Sequence, residues 1–379
     1  MSLHVVCDPM QTNPAVPLPS VVSTLRTSWR VGSALCKPGT GARRKPPDWY
    51  RDPSVNFSPQ EKAVFKQCTF YVEKARQSAA QEDIATSCQL FAVARVVSNS
   101  PSLSREVKLL CQSELEAAEA YLDYVCGAAE AAKDRLLLAM KADEALEREY
   151  GHTDLHTHRV HLANNVVKVE ARAGRLSESL ALASCILHYI DDEVSTLPLP
   201  GGWGKAYRSF LTSAPCEFLA RQSALEVACA TADPETEGMA GAWNAFYKSL
   251  GPAASGSARG GEVEEWCAVK DAFLQTRSDA SDATLDRYGA IAARYLEHGP
   301  RESTSLWKLV GLDVAFVCAN FDTVGALPLR AEITEELTRA TSLPRHVRKL
   351  IDQLKRISAQ EPVLKELAME SPPQRTSAA

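Results

Sequence analysis

From Glu61 to about Ser78 the apolar residues Val64, Phe65, Cys68, Tyr71, Val72 and Ala75 return at steps of three and four. A helix completes a turn in 3.6 residues, so this spacing gathers them into one stripe on one face. Ser58-Pro59 supplies a helix cap followed by proline at the first helical position, where the missing N–H is not needed. The same period predicts helices over 84–97, from Ser102 or Ser104 to about 126, and over 128–150, 153–173 and 176–190. Over 84–97, Ile84, Cys88, Phe91, Ala92 and Val96 take the inward positions; in the helix that starts at Ser102 or Ser104, Val107, Leu110, Cys111, Leu115, Ala118, Leu122 and Val125 do. The intervening gaps are short, which makes successive helices antiparallel neighbours. No stretch alternates with period two, so the predicted fold class is all-α.

Breaks in the pattern divide the chain. "STLPLPGGWGKAY", residues 195–207, holds two prolines and three glycines, and no helix can run through it. Helices are predicted again over 205–212, 215–231 and 238–250. "GPAASGSARGGE", residues 251–262, reads as a flexible linker. Beyond it come 262–277, 282–297, 303–321, 330–341, 344–358 and 361–369. The expected organisation is a disordered basic tail over 1–56, a repeat region over 57–195 and a helical middle region over 196–250. After the 251–262 linker follow a C-terminal helical region over 263–370 and a disordered end over 371–379.

The first hairpins look periodic. Turns at Ala80, Gly127 and Gly174 are spaced by 47 residues, and a small residue follows each five positions later. Constant spacing of helical hairpins is the signature of an α-solenoid. One unit, "EYGHTDLHTHRVHLANNVVKVEARAGRLSESLALA", resembles a tetratricopeptide repeat of the kinesin-light-chain type. The residues that carry the resemblance are Gly151, His152, Leu162, Ala163, Ala171, Gly174, Arg175 and Glu178, with Ser179 in place of the usual alanine. It departs from that type at Glu170, where an aromatic is usual, and in lacking a proline after Ile190. The resemblance spans about 60–195 and implies a superhelix whose first helices line a concave groove for extended or helical peptides. Register then nominates Lys66, Thr69, Glu73, Glu114, Asn164, Asn165 and Lys168 as groove residues, with the adjacent asparagines suited to main-chain amides.

Composition narrows the partners. The net charge of −5 and pI near 6.0 argue against a nucleic-acid coat, which would be basic. No run approaches the ~20 apolar residues of a membrane span. Eleven cysteines, mostly lying singly in apolar helical patterns with no CxxC pair, read as buried thiols in a reducing, cytoplasmic setting. Residues 1–56 carry Arg26, Arg30, Lys37, Arg43, Arg44 and Lys45 and no acid between Asp8 and Asp48. Such a tail can serve as an address for secretion or organelle import.

Three clusters hold candidate chemistry. Asp191-Asp192-Glu193 resembles part of the magnesium box of all-helical terpene synthases, but Ser195 stands where the last acid belongs. His152, His156, His158 and His161 include i,i+4 and i,i+3 pairs that can chelate zinc or nickel, so His152 and His156 join the acids as metal candidates. "RHVRKLIDQLKRI", residues 345–357, carries a basic face beside the stripe Val347, Leu350, Ile351, Leu354 and Ile357. No nucleophile elbow, phosphate loop or dinucleotide fingerprint appears, and nothing asks for a cofactor. The leading expectation is a non-enzymatic adaptor that binds another protein or peptide. The alternatives are a magnesium-dependent enzyme acting on a pyrophosphate through Asp191 and Asp192, and a repeat-domain effector addressed by its tail.

Overall fold

The structure is a computed structural model, and it describes residues 18–36, 57–301, 303–320, 325–340 and 343–356. The predicted helix at 361–369, the end over 371–379 and the basic run at 43–45 lie outside the described residues. Among those described, every regular element is helical and none is a strand, so the fold is all-α. The chain divides into two compact units, residues 38–265 and residues 1–37 with 266–379.

The first unit begins with α2 (Pro59–Ala80), α3 (Ile84–Ser98), α4 (Arg105–Cys126), α5 (Ala129–Tyr150), α6 (Leu155–Arg172) and α7 (Leu176–Ile190), after α1 (Leu18–Leu35) of the other unit. Ser58 and Glu61 form a capping box with proline inside the first turn, as the sequence predicts. Within each pair α2–α3, α4–α5 and α6–α7 the helices pack on one another. The pairs meet through α2 on α4 and α5 on α6. A one-turn α8 (Lys205–Arg208), then α9 (Ser213–Ala230) and α10 (Met239–Leu250), continue the unit, with α9 on α6 and α7 and α10 on α7. Residues 196–250 are therefore continuous with the hairpins.

The turns of the three pairs share one geometry. Glu82, Gly127 and Gly174 adopt φ of 64°, 81° and 79°, the left-handed region that favours glycine. The following N–H of Asp83, Ala128 and Arg175 bonds the carbonyl of Ser78, Asp123 and Glu170 at 3.0, 2.9 and 3.0 Å. This 6→1 bond is the Schellman termination. Five residues after the left-handed position, Ser87 Oγ donates to Ala75 O at 2.9 Å and Ser179 Oγ to Val167 O at 2.8 Å, with fully buried Ala132 in the corresponding place. The equal 47-residue spacing is corrected here. The first left-handed residue is Glu82 and not Ala80, so the intervals are 45 and 47.

The facing of α3 is corrected too. Ser87, Phe91, Ala94 and Ser98 are buried, while Cys88, Ala92 and Val96 are exposed, Val96 by 76%. Arg95 is the only charged residue of α3, so its apolar period selects no face and the hairpin register does. Cys126, expected inside, is likewise exposed.

The second unit overturns part of the expected N-terminal tail. Residues 18–35 are α1, which buries Val22, Leu25 and Trp29 and packs on α12 (Asp282–Glu297), α13 (Thr304–Ala319) and α14 (Ala326–Thr338). α11 (Glu262–Ser278) precedes these helices in the chain, and α15 follows over 345–356. Trp29 stacks on Trp307 with centroids 4.3 Å apart, over Gly311, where a β-carbon would collide with the Trp29 ring. Both Arg26 and Arg30 are held by Glu332. A leader judged by its prolines and basic charge hides a three- and four-residue stripe whose partner lies some 280 residues further on. On α15 the predicted stripe residues Val347, Ile351 and Leu354 are buried and the basic residues exposed.

Candidate functional site: a groove across three helices

Helices α2, α4 and α6 together line a groove of about 780 Å³ in the first unit. Each contributes positions about one turn apart, which place side chains on one face. α2 brings Thr69, Glu73, Arg76 and Gln77; α4 brings Glu114, Tyr121 and Tyr124; α6 brings His158, His161, Asn165 and Lys168. Five of the seven predicted groove residues are thus brought together: Thr69, Glu73, Glu114, Asn165 and Lys168. Lys66 is exposed on α2 and does not line the groove. Asn164 is a correction: it is fully buried, donates to Leu219 O at 3.4 Å and accepts from Ser223 Oγ at 2.7 Å. It joins α6 to α9. Neighbours on a helix point about 100° apart, so two adjacent asparagines cannot both face one groove.

Glu73 accepts from Arg76 at 2.6 and 3.0 Å and from Gln77 at 2.8 Å, which presets the α2 wall. Tyr121 and Tyr124 stack with centroids 6.4 Å apart. Lys168 and Arg172 lie over the Tyr124 ring at 5.4 and 4.7 Å. Such cation–π contacts hold long side chains in place with the charge still partly hydrated.

The histidine cluster is split by the fold. His158 and His161 stack 6.1 Å apart in the groove. His158 Nδ1 meets Asp143 Oδ2 at 2.8 Å, and buried Asp143 also accepts from Ser113 at 2.6 Å. Burial disfavours the imidazolium of His158, but the charge and hydrogen bond of Asp143, with the charge of Glu114, together outweigh it and raise the pKa to about 9. His161 moves the other way, to about 4, through burial and then the charges of His158, Lys168 and Arg76. At neutral pH the groove therefore presents one charged and one neutral imidazole. Burial opposes the charge of Lys168, but Glu226, 3.8 Å away, together with smaller contributions from Tyr124, Cys229 and Tyr121, raises its pKa above the ordinary value.

The metal candidates are not brought together. His152 Nε2 pairs with Glu106 at 2.6 Å, whereas His156 is buried with Nε2 2.8 Å from the Tyr189 hydroxyl. Asp191 accepts from Ser257 Oγ at 2.6 Å and from Ala258 N at 2.8 Å, and it also holds Arg259. Glu193 accepts from Arg259 Nη2 at 2.6 Å, and Arg259 Nη1 donates to Leu250 O at 2.7 Å. Asp192 is exposed with φ of 62°, and Glu193 N bonds His188 O at 2.9 Å. This acidic triplet is the same helix stop used at Glu82, Gly127 and Gly174, followed by a clamp on Arg259. The segment 251–262, expected to be a flexible linker, is fastened by that clamp. Among the described residues no cluster of three or more His, Cys, Asp or Glu is placed to hold a metal ion.

Sequence reasoning missed Arg76, Gln77, Tyr121 and Tyr124. The signal is in the helical period: Arg76 and Gln77 lie three and four residues from Glu73, and Tyr121 and Tyr124 lie seven and ten residues, about two and three turns, from Glu114. For His158 and His161 the helical spacing allows either a chelating pair or polar residues that line the groove or cap the helix, and both line the groove. Comparison with known protein families, curated proteins and solved structures finds no match to this chain. Among the described residues no helix is long and apolar enough to cross a membrane.

Proposed function

We propose that this protein is a non-enzymatic binding protein, an adaptor or regulatory scaffold, that holds an extended or helical segment of another protein in the α2–α4–α6 groove. The observation that carries the reading is the convergence of half-exposed polar side chains from three successive hairpins on one concave surface. Most of the apolar stripe residues pack away from the groove, in a core that includes Phe65, Cys68, Phe91, Leu110 and Leu115, while Val72, Leu162 and Val169 form part of its floor. Asn165 offers its amide to a ligand backbone, Thr69 and Gln77 offer the polar capacity not used by Lys66 O and Glu73, the tyrosines offer apolar faces, and His158 and Lys168 offer charge. The repeated turn geometry supports a short solenoid, since grooves of this kind arise where equivalent helices stack side by side.

Photo-crosslinking tests the reading directly. A photoreactive residue at Thr69, Glu114 or Asn165 should form adducts with the same segment of one partner in cells. The same probe at Val96, exposed on α3, should not form them. Equal labelling from the groove and from Val96, or loss of no adduct when Tyr121 and Lys168 are both replaced by Ala, rejects the groove as the binding surface.

A further inference from the structure

The Pro/Gly-rich segment 195–212 does not hang free of the first unit. Gly202 is gripped on both sides of its peptide: its N–H donates to Glu144 Oε1 at 2.8 Å and its carbonyl accepts from Arg159 Nη2 at 3.0 Å. Trp203 lies on the Arg159 guanidinium at 4.3 Å, and Trp203, Tyr207 and Phe210 ring His156 at 5.8, 5.8 and 6.3 Å. Arg208 bonds the last carbonyls of α7, including Tyr189 O at 2.9 Å. We propose that residues 195–212 are an acid-released strap over α5, α6 and α7, with His156 as its trigger.

The groups facing His156 are Glu147 from α5, Arg159 from its own helix, Tyr189 from α7, and Tyr207 and Arg208 from α8. Glu147 is the only carboxylate among these, and Arg159 Nη1 already takes it at 2.7 Å. Its Oε2 stands 3.5 Å from His156 Nδ1 without hydrogen-bond geometry, and Nδ1, Glu147 Oε1 and Arg159 Nε are all buried without a partner. A proton on His156 therefore adds a second cation to one buried carboxylate inside an aromatic cage, with Arg208 nearby. Burial, first, and the two arginines hold the imidazole below its ordinary pKa, more than Glu147 raises it. The sign follows: the open strap binds the proton more readily, so its closure is stable above about pH 6.5 and weakens as pH falls below that value. The network around His156 is only partly satisfied, so a further buried charge there is costly.

Backbone hydrogen exchange of the full chain tests the strap, with rates corrected for intrinsic pH dependence. Amides of 199–211 should open more readily below pH 6.5, by up to about tenfold per pH unit for one linked proton, while α2 and α3 stay protected. In His156→Gln, which cannot titrate, and in His156→Phe, that slope should vanish. Three outcomes overturn the proposal: unchanged strap protection from pH 7.5 to 5, simultaneous opening of the strap and the α2–α3 hairpin, or the same slope in the variants. If neither variant folds, an NMR titration of His156 decides, and a midpoint at or above 6.5 overturns it.

Discussion

The two sides of α6 use the same residue types for opposite purposes. One side carries His158, His161, Asn165 and Lys168 into the groove, half-exposed and partnered at their edges. The other carries His156, Arg159 and Asn164, all at 0% exposure, into the strap and α9. His156 and His158 are two residues apart, yet one is held below the ordinary imidazole pKa and the other is raised to about 9. Each is opposed by burial; only His158 has a carboxylate to itself. Partner geometry, and not residue type or position along the chain, buries one side and leaves the other half-exposed in the groove.

The comparison can be broken most strongly at Arg159. Arg159→Ala leaves the Glu147 carboxylate buried and unpaired and should cost ~3–5 kcal/mol, read by denaturant unfolding. Replacing the pair together, Glu147→Leu with Arg159→Met, should recover much of that loss; a double variant as unstable as the single would show that the network, and not the lone charge, sets the cost.

On the groove side, His158 should contribute about 3 kcal/mol while it is charged, as its pKa moves from 6.5 to about 9. A raised pKa stabilises fully below the unfolded value, so this contribution is lost as pH climbs from about 6.5 through about 9. Unfolding of wild type and His158→Gln between pH 6 and 10 checks the sign, because the two curves should converge at high pH.

Smaller effects sharpen the contrast. Asn164→Ala removes buried hydrogen bonds to Leu219 and Ser223 and should destabilise by ~1–3 kcal/mol. Its neighbour Asn165→Ala should stay within ~0.5 kcal/mol of wild type and alter only partner capture. Asp192→Gly should stabilise by about 1 kcal/mol, since φ of 62° is strained for aspartate and free for glycine. Thermal melts of these three variants rank them; equal destabilisation by Asn164→Ala and Asn165→Ala would erase the distinction between the two sides.

Much of the fold was legible in the sequence. The Ser58-Pro59 start, the 176–190 and 282–297 helices and the Pro/Gly break were read at or near their observed bounds, because capping chemistry and the 3.6-residue period act locally. Five groove residues were legible for the same reason: they are what remains on helices α2, α4 and α6 once the packing stripe is subtracted. Legibility failed where two faces of a helix looked alike. α3 is apolar on nearly all sides, so which of Ser87 or Cys88 goes inside is set by the Ser87–Ala75 contact across the hairpin. Asn164 and Asn165 are chemically identical, and only the arrival of α9 separates them.

Local pattern, then, determined that the chain is helical, where its helices begin and end, and that Gly127 and Gly174 turn it back on itself. Tertiary structure decided the rest. It turned residues 18–35 from a basic tail into α1, because the apolar stripe gains stability only when α12–α14 are present to cover it. It made Asp191 and Glu193 a clamp and not a metal box, because Arg259 lies 66 or more residues away and reaches them only in the folded unit. Helical period is a property of neighbours in sequence; the partner of a charge or of an apolar face is a property of neighbours in space.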